Sequence, residues 1–412
     1  MRYQSPLGRF LVNYFWRFKL TSAGKCLVGC GIIANIFTIT LQTLDYLVLL
    51  PLFGIGFLAF CANCLHRPRL DIKGVLGEKT IAGHETNATI TVTNKGRLPA
   101  LDISVGFFKM PRSLVEVPCQ MRVAVLPKGE SATFSIGIKA LKRGVYELAP
   151  VRAFSTFPLN LCRSGSRKKA MGSLLVQPSF TPAGGIDVPV SARYQPGGIA
   201  LTSNLGESPE YVGNREYRPG DSVRRIDARA WARLCKPVVR EYQEEYFCRI
   251  ALVLDTFIPG KRRSKPEGFP QLEAGISLAA TVTDALSRGE YILDIFAAGP
   301  ELYCFRSGRH TAHFENVLEI LACLDACRTN PFDVIAPALV DELQNMSTAI
   351  FVMLDWDEAR QKLVRMASSV GCRCKVLIVR DEPTTLPVSP SEEADIQTYT
   401  TGQVNGGGFA TL

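Results

Sequence analysis

Histidine is almost missing: the 412 residues hold four, which leaves few candidates for general acid–base chemistry. No Gly-x-x-x-x-Gly-Lys-Ser/Thr phosphate loop occurs, which excludes a P-loop ATPase. A Gly-x-Ser-x-Gly nucleophile elbow is absent as well. Cys61 and Cys64 form a Cys-x-x-Cys pair, but no second pair stands at zinc-site spacing, and their apolar surroundings read as packing. The 13 cysteines are odd in number and mostly scattered, unlike a disulfide framework. The 34 glycines and 25 prolines follow no period, which excludes collagen-like and low-complexity chains. With 47% hydrophobic and 21% charged residues the chain is not wholly disordered. His310 and His313, three apart near a helix start with no matching acidic or Cys partner, read as surface or cap residues. A prior of about 150 residues per domain suggests roughly two to three units.

What the chain does have is unevenly placed. The net charge is +9, and residues 1–25 carry Arg2, Arg9, Arg17, Lys19 and Lys25 with no acid. Two uncharged stretches follow within 26–65, separated by Asp45 and then flanked by His66, Arg67, Arg69 and Lys73. At 1.5 Å per residue each matches the roughly 30 Å hydrocarbon core. This pattern predicts a transmembrane helical hairpin in contact with membrane lipid. The positive-inside rule puts both termini and the soluble domains on the cytoplasmic side. A buried helical hairpin is the alternative. Phe10, Leu11, Tyr14, Phe15 and Phe18 recur at helical spacing, as in an interfacial helix, with a disordered basic lead as the equal alternative.

Residues 70–180 predict an antiparallel β-sandwich of immunoglobulin-like type. Ile90 and Val92 alternate with threonines, Leu101 to Phe107 alternates, and so does Phe134 to Ala140. Period two means one buried and one wet face, and Asn94-Lys95-Gly96 and Pro127-Lys128-Gly129 supply turns. Residues 249–380 alternate strands and helices, which predicts a doubly wound α/β domain. Its apolar strands at Arg249 to Asp255 and Ala349 to Leu354 end at Asp255 and Asp355, at the sheet edge where ligands gather. Leu272, Ile276, Ala279, Val282 and Leu286 share one helix face. Residues 381–412, rich in Pro, Ser, Thr and Gly, predict a disordered tail.

The segment 181–248 holds the most unusual run: Arg215-Glu216-Tyr217-Arg218-Pro219-Gly220-Asp221, then Arg224, Asp227 and Arg233. Dense opposite charge around a Pro-Gly turn fits either a solvated loop or a folded Arg–carboxylate network, since guanidinium forks match carboxylates. Together with Lys142-Arg143-Gly144-Val145-Tyr146-Glu147-Leu148 and Phe157-Pro158-Leu159, this run resembles the bacterial domain of unknown function 58 family. The resemblance reaches to about residue 380. It implies two N-terminal spans, a β-sandwich, the charged motif, a von Willebrand factor A-like domain and a MoxR-type AAA+ ATPase as partner. Two positions depart from the family. Ala228 stands where an aromatic is usual, and Trp231 where a small residue is common, so the local surface is altered.

Von Willebrand A domains often hold Mg²⁺ through Asp-x-Ser-x-Ser, since hard cations need oxygen ligands. Here Asp255-Thr256-Phe257-Ile258-Pro259 keeps the Asp and loses both hydroxyl positions. Asp255 and Asp355, with Asp357 nearby, are read as a degenerate site, and no metal or cofactor is expected. Nucleic acid is not expected either, because Glu216, Asp221, Asp227 and Glu241 interleave the arginines. The expectation is a membrane-anchored, non-catalytic accessory protein at the inner membrane. Its junction or docking residues would be Arg215, Glu216, Tyr217, Arg218, Pro219, Gly220, Asp221, Arg224, Asp227 and Arg233. A structural part of an envelope-assembly apparatus and an unrecognised membrane-associated hydrolase are the alternatives. Oligomeric state is not legible.

Overall fold

The computed structural model describes residues 12–41, 46–108, 110–117, 121–165, 169–188, 211–242, 248–260, 265–288, 291–298, 302–306, 312–344, 346–388 and 394–407. The architecture is mixed α/β with several sheets. Two compact units emerge. The first comprises Met1–Phe180, Lys261–Ser277 and Asn316–Leu324; the second comprises Thr181–Gly260, Leu278–Glu315 and Asp325–Leu412.

The first unit begins with a π-helical turn, Val12–Lys19, and two helices, α1 (Ser22–Leu41) and α2 (Tyr46–Leu65). The transmembrane hairpin expected at 26–65 is corrected: among the described residues, no helix is long and apolar enough to cross a membrane. The bases of both helices are also tied to the β-rich part of the unit. Thr21 N–H donates to Leu161 O at 3.1 Å, and buried Asn63 in α2 donates to Phe157 O at 2.9 Å and Cys162 O at 3.2 Å. Counting uncharged residues could not register those polar attachments.

Next come β1 (Leu70–Leu76), β2 (Lys79–Ile81), β3 (Glu85–Asn94), β4 (Ala100–Phe107), β5 (Leu114–Val117) and β6 (Val123–Leu126). They are followed by β7 (Ser131–Ala140), β8 (Gly144–Glu147), β9 (Val151–Ser155), β10 (Ser164–Gly165) and β11 (Ser173–Gln177). Among the described residues these make antiparallel sheets ordered β1-β3-β7-β5 and β10-β9-β4-β6, and a small sheet β2-β11-β8. Alternation sets the core directly: Ile90 lies opposite Phe134 in register, and both are fully buried. Ile103, Val105, Val151 and Ala153 join them in one apolar cluster. Asn94 closes its turn by accepting from Gly96 N–H at 2.8 Å and donating to Leu126 O at 3.0 Å.

The second unit opens with a ribbon of β12 (Tyr211–Glu216) and β13 (Val238–Tyr242). Between them lie a 3-10 turn, Val223–Arg225, and α3 (Ala228–Leu234). The chain continues through β14 (Cys248–Asp255), α4 (Pro270–Ser287), β15 (Tyr291–Ala298), β16 (Leu302–Arg306), α5 (Ala312–Cys323) and α6 (Phe332–Leu343). It ends with β17 (Thr348–Met353), α7 (Glu358–Ser369), β18 (Arg373–Val379), β19 (Ala394–Tyr399) and α8 (Thr401–Gly406). The sheet order is β16-β15-β14-β17-β18-β19, parallel except for β16. Every residue of β17 is buried, as a central parallel strand covered on both faces requires. The stripe Leu272, Ile276, Ala279, Val282 and Leu286 is buried along α4.

The tail expected to be disordered over 381–412 is also corrected. β19 pairs parallel to β18 from Ala394 to Tyr399. A capping box then starts α8, with Thr400 and Gln403 bonded to each other's backbone, and Gly407 ends it at φ 68°. Composition hid this, because a Thr-x-x-Gln box and a terminal glycine are themselves polar and loop-like. Residues 1–11, with Phe10 and Leu11, lie outside the described residues.

Candidate functional site

The charged run folds on itself as a small module. Arg215, at the end of β12, forks onto Asp221, with Nη1 and Nη2 donating to Oδ2 and Oδ1 at 2.8 Å each. Asp221 Oδ2 also accepts from Arg218 N–H at 2.8 Å, and Asp221 N–H closes the turn onto Arg218 O at 3.0 Å. Pro219 and Gly220 occupy the corner, and Gly220 at φ 108° takes a conformation that a side chain would strain. The Arg215 guanidinium and the Arg218 backbone N–H hold the Asp221 carboxyl down at about 2.

Asp227 organises the next corner. Its side chain caps α3 by accepting from Arg229 and Ala230 N–H at 3.0 and 3.1 Å. Its other oxygen accepts from Arg240 Nε on β13 at 3.2 Å. The Ala230 N–H, with Arg240 and the Arg229 N–H, lowers the Asp227 pKa, and burial opposes them. Tyr217 N–H donates to Pro237 O at 2.9 Å, which ties the two strand ends together. Glu216 meets Lys236 at 3.1 Å on an exposed surface, a pair of little energetic weight.

The expected residues therefore divide. Arg215, Asp221 and Asp227 are the lock, and Pro219 and Gly220 the corner. Arg218, Arg224 and Arg233 present exposed side chains, as does Arg229. Trp231 and Leu234, three apart on α3, are 44% and 61% exposed, and Val223 is 72% exposed. Ala230 alone on that helix is buried. Exposed Trp231 thus shares α3 with the exposed Ala228, Arg229, Arg233 and Leu234. Over 211–242 there are eight Lys and Arg against four Asp and Glu.

The sheet edge is occupied by protein donors. Asp255 is fully buried and accepts from Phe257 N–H at 2.8 Å, Leu354 N–H at 3.0 Å and Arg360 Nε at 2.8 Å. Arg360 Nη2 reaches the same carboxylate at 2.7 Å, and its guanidinium lies 4.8 Å from the Phe332 ring centroid and 5.6 Å from that of Phe257. Burial pushes the Asp255 carboxyl up, and Arg360 opposes it. Burial would lower Arg360, but Asp255 and Asp357 outweigh it and raise the guanidinium. The four donors converging on Asp255 make the charged pair the stable form. Arg360 thus supplies the positive charge, and Phe257 packs on that guanidinium.

Asp355 engages other groups: Thr385 N–H and Oγ1 at 3.0 and 2.6 Å, Trp356 N–H at 2.7 Å, and Arg380. Burial would raise its pKa, but the Thr385 bonds, the Trp356 N–H and Arg380 together lower it. The fold brings Asp255 and Asp355 to the ends of adjacent strands without giving them a common ligand. Among the described residues no cluster of three or more His, Cys, Asp or Glu could hold a metal ion. His310 lies outside the described residues, as does the side chain of His313. Sequence reasoning missed Arg360 and Arg240. The available signal for Arg360 was its spacing from Asp357, which caps α7 and pairs with it at i, i+3.

Residues 213–392 match the family model described as Protein of unknown function DUF58. No curated protein matches the chain. Among solved structures, a Bacteroides ovatus GH5 xyloglucanase in complex with a XXXG heptasaccharide is similar at 9% identity, over 79% of this chain and 71% of that one, with a TM-score of 0.14. A likeness that small carries no argument about fold or activity.

Proposed function

Because the chain, through residues 213–392, belongs to the DUF58 family of unknown function, we propose that it is a non-catalytic adaptor that recruits a MoxR-type AAA+ ATPase to a client complex. The observation that carries this reading is exposed Trp231 on a short helix that also exposes Arg229 and Arg233 and is capped by Asp227. Trp and Arg are the residue types enriched among interface anchors. The lock around Asp221 and Asp227 fixes the presenting loop before binding, so less ordering is needed on contact. The sheet edge supports the same reading, since its carboxylates are engaged by Arg360, Arg380 and Thr385 instead of facing a substrate.

The test is capture of the purified ATPase by the full chain. Arg229→Glu with Arg233→Glu should abolish capture and leave stability within about 0.5 kcal/mol, as for surface changes outside any network. Trp231→Ala should weaken capture as well. Unchanged capture by both folded variants removes the docking role, and turnover of a small substrate by the isolated chain removes the adaptor reading.

A further inference from the structure

A cavity of about 570 Å³ opens between α1 and α2 in the first unit. This is within the roughly 300–1,000 Å³ of small-molecule sites. Gly24, Leu27 and Gly31 line it from α1, and Leu52, Gly56 and Phe60 from α2. Spacings of three and four keep each set on one helix face. The two faces run about 10 and 12 Å, an elongated slot. Leu20 and Cys162, joined by a β-bridge, close one end.

A buried cation adjoins that closed end. Lys19 is 7% exposed, and its Nζ lies 5.1 Å from the Phe60 ring centroid. Nζ donates to Asn63 Oδ1 at 3.1 Å, with Cys64 Sγ, a weak acceptor, at 3.8 Å. The Asn63 amide cannot turn away, because its Nδ2 is held by Phe157 O and Cys162 O. Two guanidiniums stand close by. Arg163 donates to Phe18 O and Leu20 O, and Arg152 lies 4.2 Å from the Phe18 ring centroid. Burial lowers the pKa of both. Among the described residues no carboxylate pairs with Lys19, Arg152 or Arg163. A cation withdrawn from water requires a counter-charge, and among the described residues this group of three has none.

We propose that the cavity binds a single acyl chain ending in an anionic group, with the chain between α1 and α2 and the anion against Lys19. An apolar peptide or a neutral sterol would fill the slot and leave the cations unmatched. The inference is independent of the docking face on the second unit.

The full-length protein is titrated with cis-parinaric acid, a fluorescent fatty acid, and with its methyl ester. Saturable binding at one per chain is expected, with the uncharged ester weaker by about tenfold, the scale of one charge-assisted hydrogen bond. Lys19→Met should erase the preference for the acid. Gly31→Leu and Gly56→Leu place a side chain in the slot, their Cβ atoms meeting only Leu52 at 3.7 Å and Leu27 at 3.4 Å. Each should abolish binding while the circular dichroism spectrum is kept. Displacement of the probe by phosphatidylglycerol would make a phospholipid the source of the chain; displacement by palmitate alone would make it a free fatty acid. Absence of saturable binding, equal affinity for acid and ester, or undiminished binding by a folded Gly31→Leu protein would overturn the proposal. So would a concentration-dependent dimer that buries this slot and excludes the probe.

Discussion

Two Asp–Arg forks in the second unit use the same chemistry in opposite surroundings. Arg215 and Asp221 meet at the surface, where the Arg218 backbone N–H shares the carboxylate. Arg360 and Asp255 meet in the interior, at 2% and 0% side-chain exposure. At the surface water already solvates both ions, so the fork adds little energy and mainly fixes a turn. In the interior, desolvation exceeds what attraction alone returns, and the pair is tolerated because backbone N–H groups and two aromatic rings complete its shell. The exposed fork therefore shapes a surface, and the buried one joins β14 to α7 inside the sheet domain.

The comparison breaks most visibly at Arg360. Arg360→Leu leaves Asp255 buried without its partner, and a loss of about 3–5 kcal/mol is expected in urea unfolding. The variant should be least impaired in acid. With its partner gone, the buried Asp255 carboxyl is raised above its unfolded value near 3.9, so the folded protein holds a proton that the unfolded chain releases. Stability then falls as pH rises through and beyond about 4. Adding Asp255→Asn should recover most of the loss; a double variant as weak as the single one would mean that Arg360 acts through packing on Phe257 and Phe332.

A smaller effect is expected at Asp227, which combines a helix cap with a cross-strand bond to Arg240. Asp227→Ala frees two α3 N–H groups at once, and caps of this kind decide whether a helix of seven residues persists. Hydrogen exchange at Arg229 and Ala230 should accelerate several-fold while amides of the buried strand β17 keep their protection. Equal acceleration in both places would mean that the module and the sheet open together.

The same contrast explains what could be read in the sequence. Alternation around Ile90 and Phe134 and the apolar runs ending at Asp255 and Asp355 were visible, because burial periodicity is local. The motif Arg215 to Asp227 was visible as a candidate network through its charge density and Pro-Gly corner. Its division into lock and exposed face was not, because that depends on the pairing of β12 with β13. Arg360 was hidden because it lies 105 residues from Asp255. The helical pair at 22–65 was misjudged by a count of uncharged residues, which weighs neither Asn63 nor the docking of Thr21.

In acid the exposed fork should outlast ordinary carboxylates. Asp221 is held at about 2, below its unfolded value near 3.9. A depressed carboxylate contributes stability that is complete above the unfolded value and is lost as pH falls through the folded one. The contribution of Asp221 thus fades between about pH 4 and 2, and Asp221→Asn should flatten that part of the stability profile without changing the plateau slope above pH 5. A variant profile as steep as the parent's would assign the acid limb to other carboxylates.

The finest distinction is between charge and geometry at the exposed fork. Arg215→Lys keeps the cation and removes the two-pronged match to Asp221. Unfolding midpoints should scarcely move, since an exposed ammonium replaces an exposed guanidinium. The carboxyl titration followed by NMR should nonetheless shift upward from about 2, because the Arg215 side-chain hydrogen bonds are the largest cause of its depression. The Arg218 N–H remains in place, so the shift should stop short of the ordinary Asp value. An unshifted titration would mean that net positive charge, and not the fork, holds the turn. The contrast with Arg360 would then rest on burial alone.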